Sequence, residues 1–60
     1  MFIKVHYKGN TELINLAHTI EIIKDVNGKA EFNFGDEFTF SVDETYESIE
    51  KLLYTRTCKD

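Results

Sequence analysis

Alternation between apolar and polar side chains dominates residues 30–42 and predicts a β-hairpin. A period of two is typical of a strand with one buried face and one solvated face. Gly35-Asp36 divides the stretch into two runs and is a turn signal. The apolar face would carry four phenylalanines: Phe32, Phe34, Phe38 and Phe40. We therefore expect this hairpin to provide the largest apolar surface that the chain can bury.

Residues 1–7 alternate in the same way and predict a first strand. Ile3 and Val5 share one face, whereas Lys4 and His6 share the other. The Lys-Gly-Asn sequence at residues 8–10 favours a turn, since Gly and Asn tolerate positive φ angles. We expect this turn to fold the chain back into a hairpin.

Residues 11–24 fit two interpretations. Apolar residues fall at helical spacing: Leu13, Leu16, Ala17, Ile20 and Ile23. The alternative is a strand at residues 12–15, a corner or single helical turn at 16–18, and a strand at 19–26. In that strand Ile20, Ile22 and Val26 would share a face, and its many β-branched residues favour it.

Asn27-Gly28 is the strongest local signal and supports the two-strand interpretation. Asn-Gly between two alternating runs predicts a type I′ turn, because both central residues need positive φ angles. A helix over residues 11–24 would leave this hairpin without its first strand.

A change of period after Val42 predicts a C-terminal helix. Tyr46, Ile49 and Leu53 lie on one helical face. Candidate N-terminal caps are a Ser41–Glu44 capping box, Asp43 and Thr45. The acids Asp43, Glu44 and Glu47 are expected in the first turns of this helix, where they suit its dipole.

These elements predict a β-rich α+β fold. We expect a small antiparallel meander, or a partly open barrel, of about five strands with one C-terminal helix. Tyr46, Ile49 and Leu53 would pack onto the four phenylalanines. The predicted domain spans residues 1–54, and residues 55–60 are expected to form a flexible tail.

Composition and charge narrow the functional classes. The 60 residues carry a net charge of -4, which suits phosphate binding poorly, so a nucleic-acid partner is not expected. No apolar run approaches the ~20 residues of a membrane helix, and no secretory signal is evident. The lone Cys58 allows no internal disulfide, and we expect a cytoplasmic location.

No pattern of residues predicts catalysis. The three glycines lie in separate turns, so a phosphate-binding loop is not expected. His6 and His18 are far apart, and no Cys or His pair has zinc-site spacing. We therefore expect no enzyme, and no metal, cofactor or small-molecule substrate.

Apolar residues on both faces of the strands predict an interface. Phe2 beside Ile3, Leu13 beside Ile14, and Ile23 beside Ile22 leave hydrophobic side chains that one helix cannot cover. An exposed apolar patch and open strand edges both favour association. The candidate interface residues are Phe2, Leu13 and Ile23, and we expect a homo-oligomer or a protein partner. The alternative is a small nucleic-acid-associated regulator that uses cationic side chains on the solvated face: Lys4, His6, Lys8 and Lys24.

Three segments together resemble the short FlbD-type flagellar-operon proteins. These are residues 2–6 (Phe-Ile-Lys-Val-His), residues 14–23, which begin with Ile-Asn, and residues 40–49, which lead into the predicted helix. The resemblance spans about residues 1–53 and rests on strand patterning and Asn15. It implies a small cytoplasmic, non-catalytic, β-rich protein with a regulatory role.

Overall fold

The computed structural model describes residues 1–57, which form five antiparallel strands and one C-terminal helix. In chain order the elements are β1 (Phe2–Tyr7), β2 (Asn10–Asn15), a 3-10 turn (Leu16–His18), β3 (Glu21–Lys24), β4 (Lys29–Asn33), β5 (Thr39–Thr45) and α1 (Tyr46–Thr57). The predicted β-rich α+β fold is confirmed, as is the two-strand interpretation of residues 11–24. The strands do not close into a barrel within the described residues.

The five strands form two sheets instead of one continuous meander. β1 pairs with β2 in one sheet, and the order in the other is β3-β4-β5. The Leu16 N–H donates to the Met1 carbonyl at 2.9 Å, which ends the first sheet. The Asn15 side chain then accepts a hydrogen bond from the Ala17 N–H and begins the 3-10 turn. This turn carries the chain to the second sheet, so β2 and β3 do not pair.

The turn at Asn27-Gly28 lies where it was predicted, but the type I′ prediction is wrong. Gly28 has a φ of 83°, whereas Asn27 is not among the residues with positive φ. The Gly28 N–H donates to the Asp25 carbonyl, and the Asp25 carboxylate accepts the Asn27 and Lys29 amides at 2.8 Å. Asp25 thus closes a longer loop in which Val26, predicted to lie in the strand, is 100% exposed.

The β4–β5 hairpin also lies where it was predicted, and its tip is conformationally strained. The Phe38 N–H donates to the Gly35 carbonyl at 2.8 Å. Asp36 and Glu37 lie between them with φ angles of 51° and 62°. Positive φ at both central residues is the hallmark of a type I′ turn, which normally selects Asn and Gly. The tip therefore holds two ordinary residues in the disfavoured left-handed region.

The core lies between the inner faces of the two sheets and α1. Among the side chains that the structure describes, seven apolar ones are buried: Ile3, Val5, Ile14, Ala30, Phe32, Val42 and Ile49. The predicted inner face of β1 is confirmed, since Ile3 and Val5 are buried and Lys4 and His6 are exposed. Ile49 brings α1 into this core, and Leu53 packs against it from the same helix.

The four phenylalanines are not equally buried. Phe32 is 0% exposed, and Phe34 and Phe40 are partly buried against the core. Phe38 is 59% exposed, so the prediction that α1 covers all four rings is wrong. Phe38 follows the strained tip directly, beyond the part of the hairpin against which α1 packs.

The helix begins after Thr45, and two acids predicted to lie in its first turns belong to β5 instead. The Thr45 hydroxyl accepts the Ser48 N–H at 3.1 Å, which makes Thr45 the N-terminal cap. Of the candidate caps, Thr45 is therefore confirmed and the Ser41–Glu44 capping box and Asp43 are wrong, since Asp43 and Glu44 lie within β5. The helix continues through Thr57, into the segment predicted as a tail. Residues 58–60, including Cys58, lie outside the described part of the chain.

Candidate functional site

Phe2 and Leu13 lie together on the outer face of the two-stranded sheet. Lys4 is opposite Leu13 in the register of this sheet, and Phe2 lies two residues from Lys4 on the same face. Phe2 and Leu13 are therefore diagonal neighbours across β1 and β2. Their exposed fractions are 58% and 66%. Two of the three predicted interface residues thus form one exposed apolar surface.

Ile23, the third predicted interface residue, lies on the other sheet. It is opposite Glu31 in β4 and is 42% exposed. Ile22 beside it points inward and packs against the core. The register gives Ile23 no connection to Phe2 or Leu13.

The outer edge of β2 presents backbone groups that are not used in the β1–β2 pair. Alternate residues of an antiparallel strand direct their N–H and C=O groups toward the partner strand and away from it. His6 is opposite Thr11, and its N–H donates to Glu44 instead of β2. Thr11 is therefore in a non-hydrogen-bonded pair, and so is Leu13, two residues further on. Both direct their N–H and C=O groups to the outer edge.

Apart from one inward-facing charge, Glu12, this edge lacks the features that usually prevent strands from pairing with other chains. Lysine, proline, bulges and short length commonly protect edge strands. β2 has six residues, no Lys and no Pro, and its register with β1 is regular. The edge strand of the other sheet, β3, has four residues and ends at Lys24. β2 is therefore the less protected of these two edges.

Two carboxylates of β5 hold the opposite edge of the two-stranded sheet. The Lys8 and Gly9 amides donate to the Asp43 carboxylate at 3.1 and 2.9 Å. The His6 amide donates to Glu44 Oε1 at 2.9 Å, and His6 Nδ1 lies 2.7 Å from Glu44 Oε2. Side chains of β5 thus bond to one outer amide of β1, that of His6, and to two amides of the turn that follows β1. In the described chain, β5 thus contacts the outer edge of β1 near the turn, whereas no strand pairs with the outer edge of β2.

These contacts lower the pKa values of both acids. The Gly9 amide is the main cause for Asp43, with the Lys8 amide adding to it, so its pKa falls below the ordinary 3.8. Partial burial raises the pKa of Glu44, but the hydrogen bonds from His6 outweigh it, so this pKa falls below the ordinary 4.5. Both carboxyl groups therefore ionise more readily in the folded protein than in the unfolded chain.

Acid should weaken the junction between β1 and β5. A carboxyl group whose pKa is lowered on folding stabilises the protein above its unfolded-state pKa, and this stabilisation is lost as pH falls through the folded-state pKa. The free energy of unfolding should therefore decrease as pH falls below 4.5 and then below 3.8. Urea unfolding followed by circular dichroism at a series of pH values measures it. The Asp43→Asn variant should flatten the acid limb relative to Glu21→Gln, which removes an exposed carboxylate from β3. Equal slopes in the two variants would contradict this role of Asp43.

The four candidate cations are placed differently. Lys4 shares the outer face with Leu13, and Lys8 lies with its Nζ 5.3 Å from the centre of the Tyr7 ring. His6 contacts Glu44, and Lys24 pairs with Glu47 at 2.6 Å. Two of the four thus contact carboxylates, and the four do not form one basic surface.

The described residues contain neither a metal-type cluster nor a membrane helix. No group of three or more His, Cys, Asp or Glu side chains converges among them. No helix in this part of the chain is both long enough and apolar enough to cross a bilayer.

Sequence reasoning missed the carboxylate contacts of β5, because Asp43 and Glu44 also suit a helix start. The sequence predicted open strand edges in general but did not identify the edge of β2.

No protein-family model, curated protein or solved structure matches the chain. The resemblance to FlbD-type proteins stays a prediction.

Proposed function

We propose that this chain is a non-catalytic assembly module that self-associates by pairing β2 with β2 of a second copy. The observation that carries the proposal is the unpaired outer edge of β2, with exposed Leu13 at its centre and Phe2 beside it. Strand addition at an open edge provides main-chain hydrogen bonds, and alternate side chains provide specificity. Leu13 therefore supplies apolar contact at the point where the backbone groups are free.

The charge pattern of β2 selects one register for this pairing. Two antiparallel registers related by a twofold axis use most of the strand. One places Glu12 opposite Glu12 of the second copy, where like charges are destabilising. The other places Leu13 opposite Leu13 of the second copy, with Thr11 opposite Asn15 and Glu12 opposite Ile14. We favour the second register because it removes the repulsion and joins the two apolar side chains.

The resulting four-stranded sheet would have the order β1-β2-β2-β1. Phe2 and Leu13 of both copies would form one apolar stripe across its outer face. Lys4, opposite Leu13 in β1, would flank this stripe with its charged end in solvent. A small domain buries little surface alone, so pairing of this kind also adds to its stability.

We place this assembly role in the cytoplasm, and the resemblance to FlbD-type proteins makes a regulatory context fitting. A lone cysteine is typical of reducing compartments. Protein–protein contact, rather than chemistry, is the proposed activity.

The alternative function is nucleic-acid association through Lys4, His6 and Lys8. It is less favoured because Glu44 contacts His6 and Asp43 accepts the Lys8 amide. The negative charges of these two carboxylates would repel the phosphates of a nucleic acid. Binding of this kind would weaken steeply with salt. Retention on DNA or RNA at low salt would support it, and no retention would dismiss it.

The Leu13→Lys variant tests the self-association directly. It removes the apolar contact and places two like charges at the twofold axis. We expect the dissociation constant of the dimer to rise at least about tenfold, equivalent to about 1.4 kcal/mol. Sedimentation equilibrium over a range of protein concentrations measures it.

Val26→Lys is the matched control, since it makes the same chemical change at a fully exposed turn. This variant should self-associate as the wild type does. A wild-type protein that stays monomeric at all concentrations would end the proposal. Equal weakening by both variants would show that the surface is wrongly assigned.

A further inference from the structure

An open cleft lies between the inner side of β2 and the β4–β5 hairpin. It has a volume of about 280 Å³ and is lined by Tyr7, Glu12, Phe38 and Phe40. Glu12 is opposite Val5 in the register of the first sheet, so it faces the inner side, away from Leu13. The cleft is therefore distinct from the surface proposed for self-association.

The aromatic walls of the cleft present ring faces in different directions. The Tyr7 and Phe40 rings meet edge to face, with centroids 5.3 Å apart and an angle of 87°. Phe38 and Phe40 are tilted by 41° at 6.3 Å. Rings set at these angles form an open, uneven apolar surface instead of a flat stack. A carboxylate, Glu12, is the polar group of the lining.

The Phe38 ring contacts the rings of Phe34 and Phe40, at centroid distances of 5.4 and 6.3 Å, but leaves most of its surface in solvent. It is 59% exposed, yet it follows the two residues with positive φ at the hairpin tip. An exposed phenylalanine next to backbone strain points to function, because the solvent-exposed part of the ring does not stabilise the fold. The tip residues, Asp36 and Glu37, add negative charge beside the ring.

We propose that this cleft binds an arginine side chain of a peptide partner. A guanidinium stacks on aromatic rings and also forms a forked pair with a carboxylate, and the cleft offers both partners. The net charge of -4 favours the approach of a cationic peptide. This activity goes beyond self-association and does not depend on it.

Lys8 provides independent support for cation binding here. Its Nζ lies 5.3 Å from the centre of the Tyr7 ring, so this ring already accepts an ammonium group of the protein itself. The same charge repels an incoming guanidinium. Removing it should therefore strengthen binding, a gain that misfolding could not produce.

The test is a titration of the wild-type protein with N-acetylarginine amide, followed by two-dimensional NMR of the aromatic side chains. We expect the Tyr7, Phe38 and Phe40 signals to shift in a saturable manner. The neutral isostere N-acetylcitrulline amide should bind more weakly. An absence of shifts, or equal shifts with both probes, would overturn the proposal.

Four variants test the assigned roles. Glu12→Gln should weaken binding about threefold, and Phe38→Leu, which keeps an apolar side chain, about threefold as well. Glu21→Gln, the matched acid control on β3, should bind as the wild type does. Asparagine tolerates the positive φ angle at position 8, so the Lys8→Asn variant should fold normally and bind the arginine probe more tightly. Arginine binding that is unchanged by Glu12→Gln would overturn the proposal. A variant that loses dimerisation but keeps arginine binding would concern only the proposed pairing of β2 strands.

Discussion

Replacing Phe32 with alanine should unfold most of the protein at room temperature. The Phe32 side chain is 0% exposed, and its ring stacks near those of Phe34 and Phe40, with both centroid distances 6.4 Å. A buried Phe→Ala change costs about 3–5 kcal/mol. A core in a chain this short rarely supplies more than about 3–5 kcal/mol in total. The loss is therefore comparable to the whole stability, and far-ultraviolet circular dichroism with urea titration would measure it.

Phe38→Ala is the control for this prediction, because it removes the same side chain from the same hairpin at an exposed position. Phe38 loses only its ring contacts with Phe34 and Phe40, so we expect a change of about 1 kcal/mol. Phe32→Leu, which leaves most of the buried volume filled, should lie between the two. Similar losses at positions 32 and 38 would show that the core is not organised around Phe32.

Replacing Ile49 with alanine should separate α1 from the sheets. Ile49 is 2% exposed and belongs to the buried core, unlike the other described side chains of α1. A buried Ile→Ala change costs about 2–5 kcal/mol. Alanine has a higher helix propensity than isoleucine, so the loss would come from packing and not from the helix itself. Urea unfolding of this variant gives the change directly.

Ile20→Ala is the matched control, since it deletes the same atoms from a side chain that is 67% exposed. We expect about 0.5 kcal/mol or less for this variant. If Ile49→Ala were as mild as the control, α1 would not contribute to the core as described.

The strands and the helix could be predicted from the sequence because one physical signal, the period of apolar residues, reports both. Burial of one face requires a period of two in a strand, and Ile3 and Val5 in β1 show this clearly. The same signal was ambiguous over residues 11–24, because apolar residues there fit both periods. The neighbouring Asn27-Gly28 turn resolved it, since a hairpin needs two strands.

Turn type and sheet membership could not be predicted, because they depend on contacts beyond the local pattern. Asn-Gly favours a type I′ turn. The Asp25 carboxylate, however, accepts hydrogen bonds from the amides of Asn27 and Lys29 and stabilises a different loop. The division into two sheets follows from the 3-10 turn between β2 and β3, which begins where the Asn15 side chain accepts the Ala17 amide.

The candidate site was predicted in part. Apolar residues on the solvated faces correctly identified Phe2 and Leu13 as exposed, and pairing of β1 with β2 places them together. Ile23 gave the same local signal, but it lies on the second sheet. Asp43 and Glu44 were assigned to the helix, since a carboxylate that caps a helix and one that accepts amides from a distant strand look alike in sequence.

The most direct test of the central claim is disulfide formation by a Leu13→Cys variant in a Cys58→Ser background. Two residues facing each other in a hydrogen-bonded antiparallel pair have Cα atoms about 5.5 Å apart, which a disulfide can span. In a glutathione redox buffer, we expect Leu13→Cys to form a covalent dimer at a more reducing potential than Ile23→Cys or Val26→Cys in the same background. Equal oxidation of the three variants, or preferential oxidation of either control, would contradict pairing of two β2 strands about Leu13.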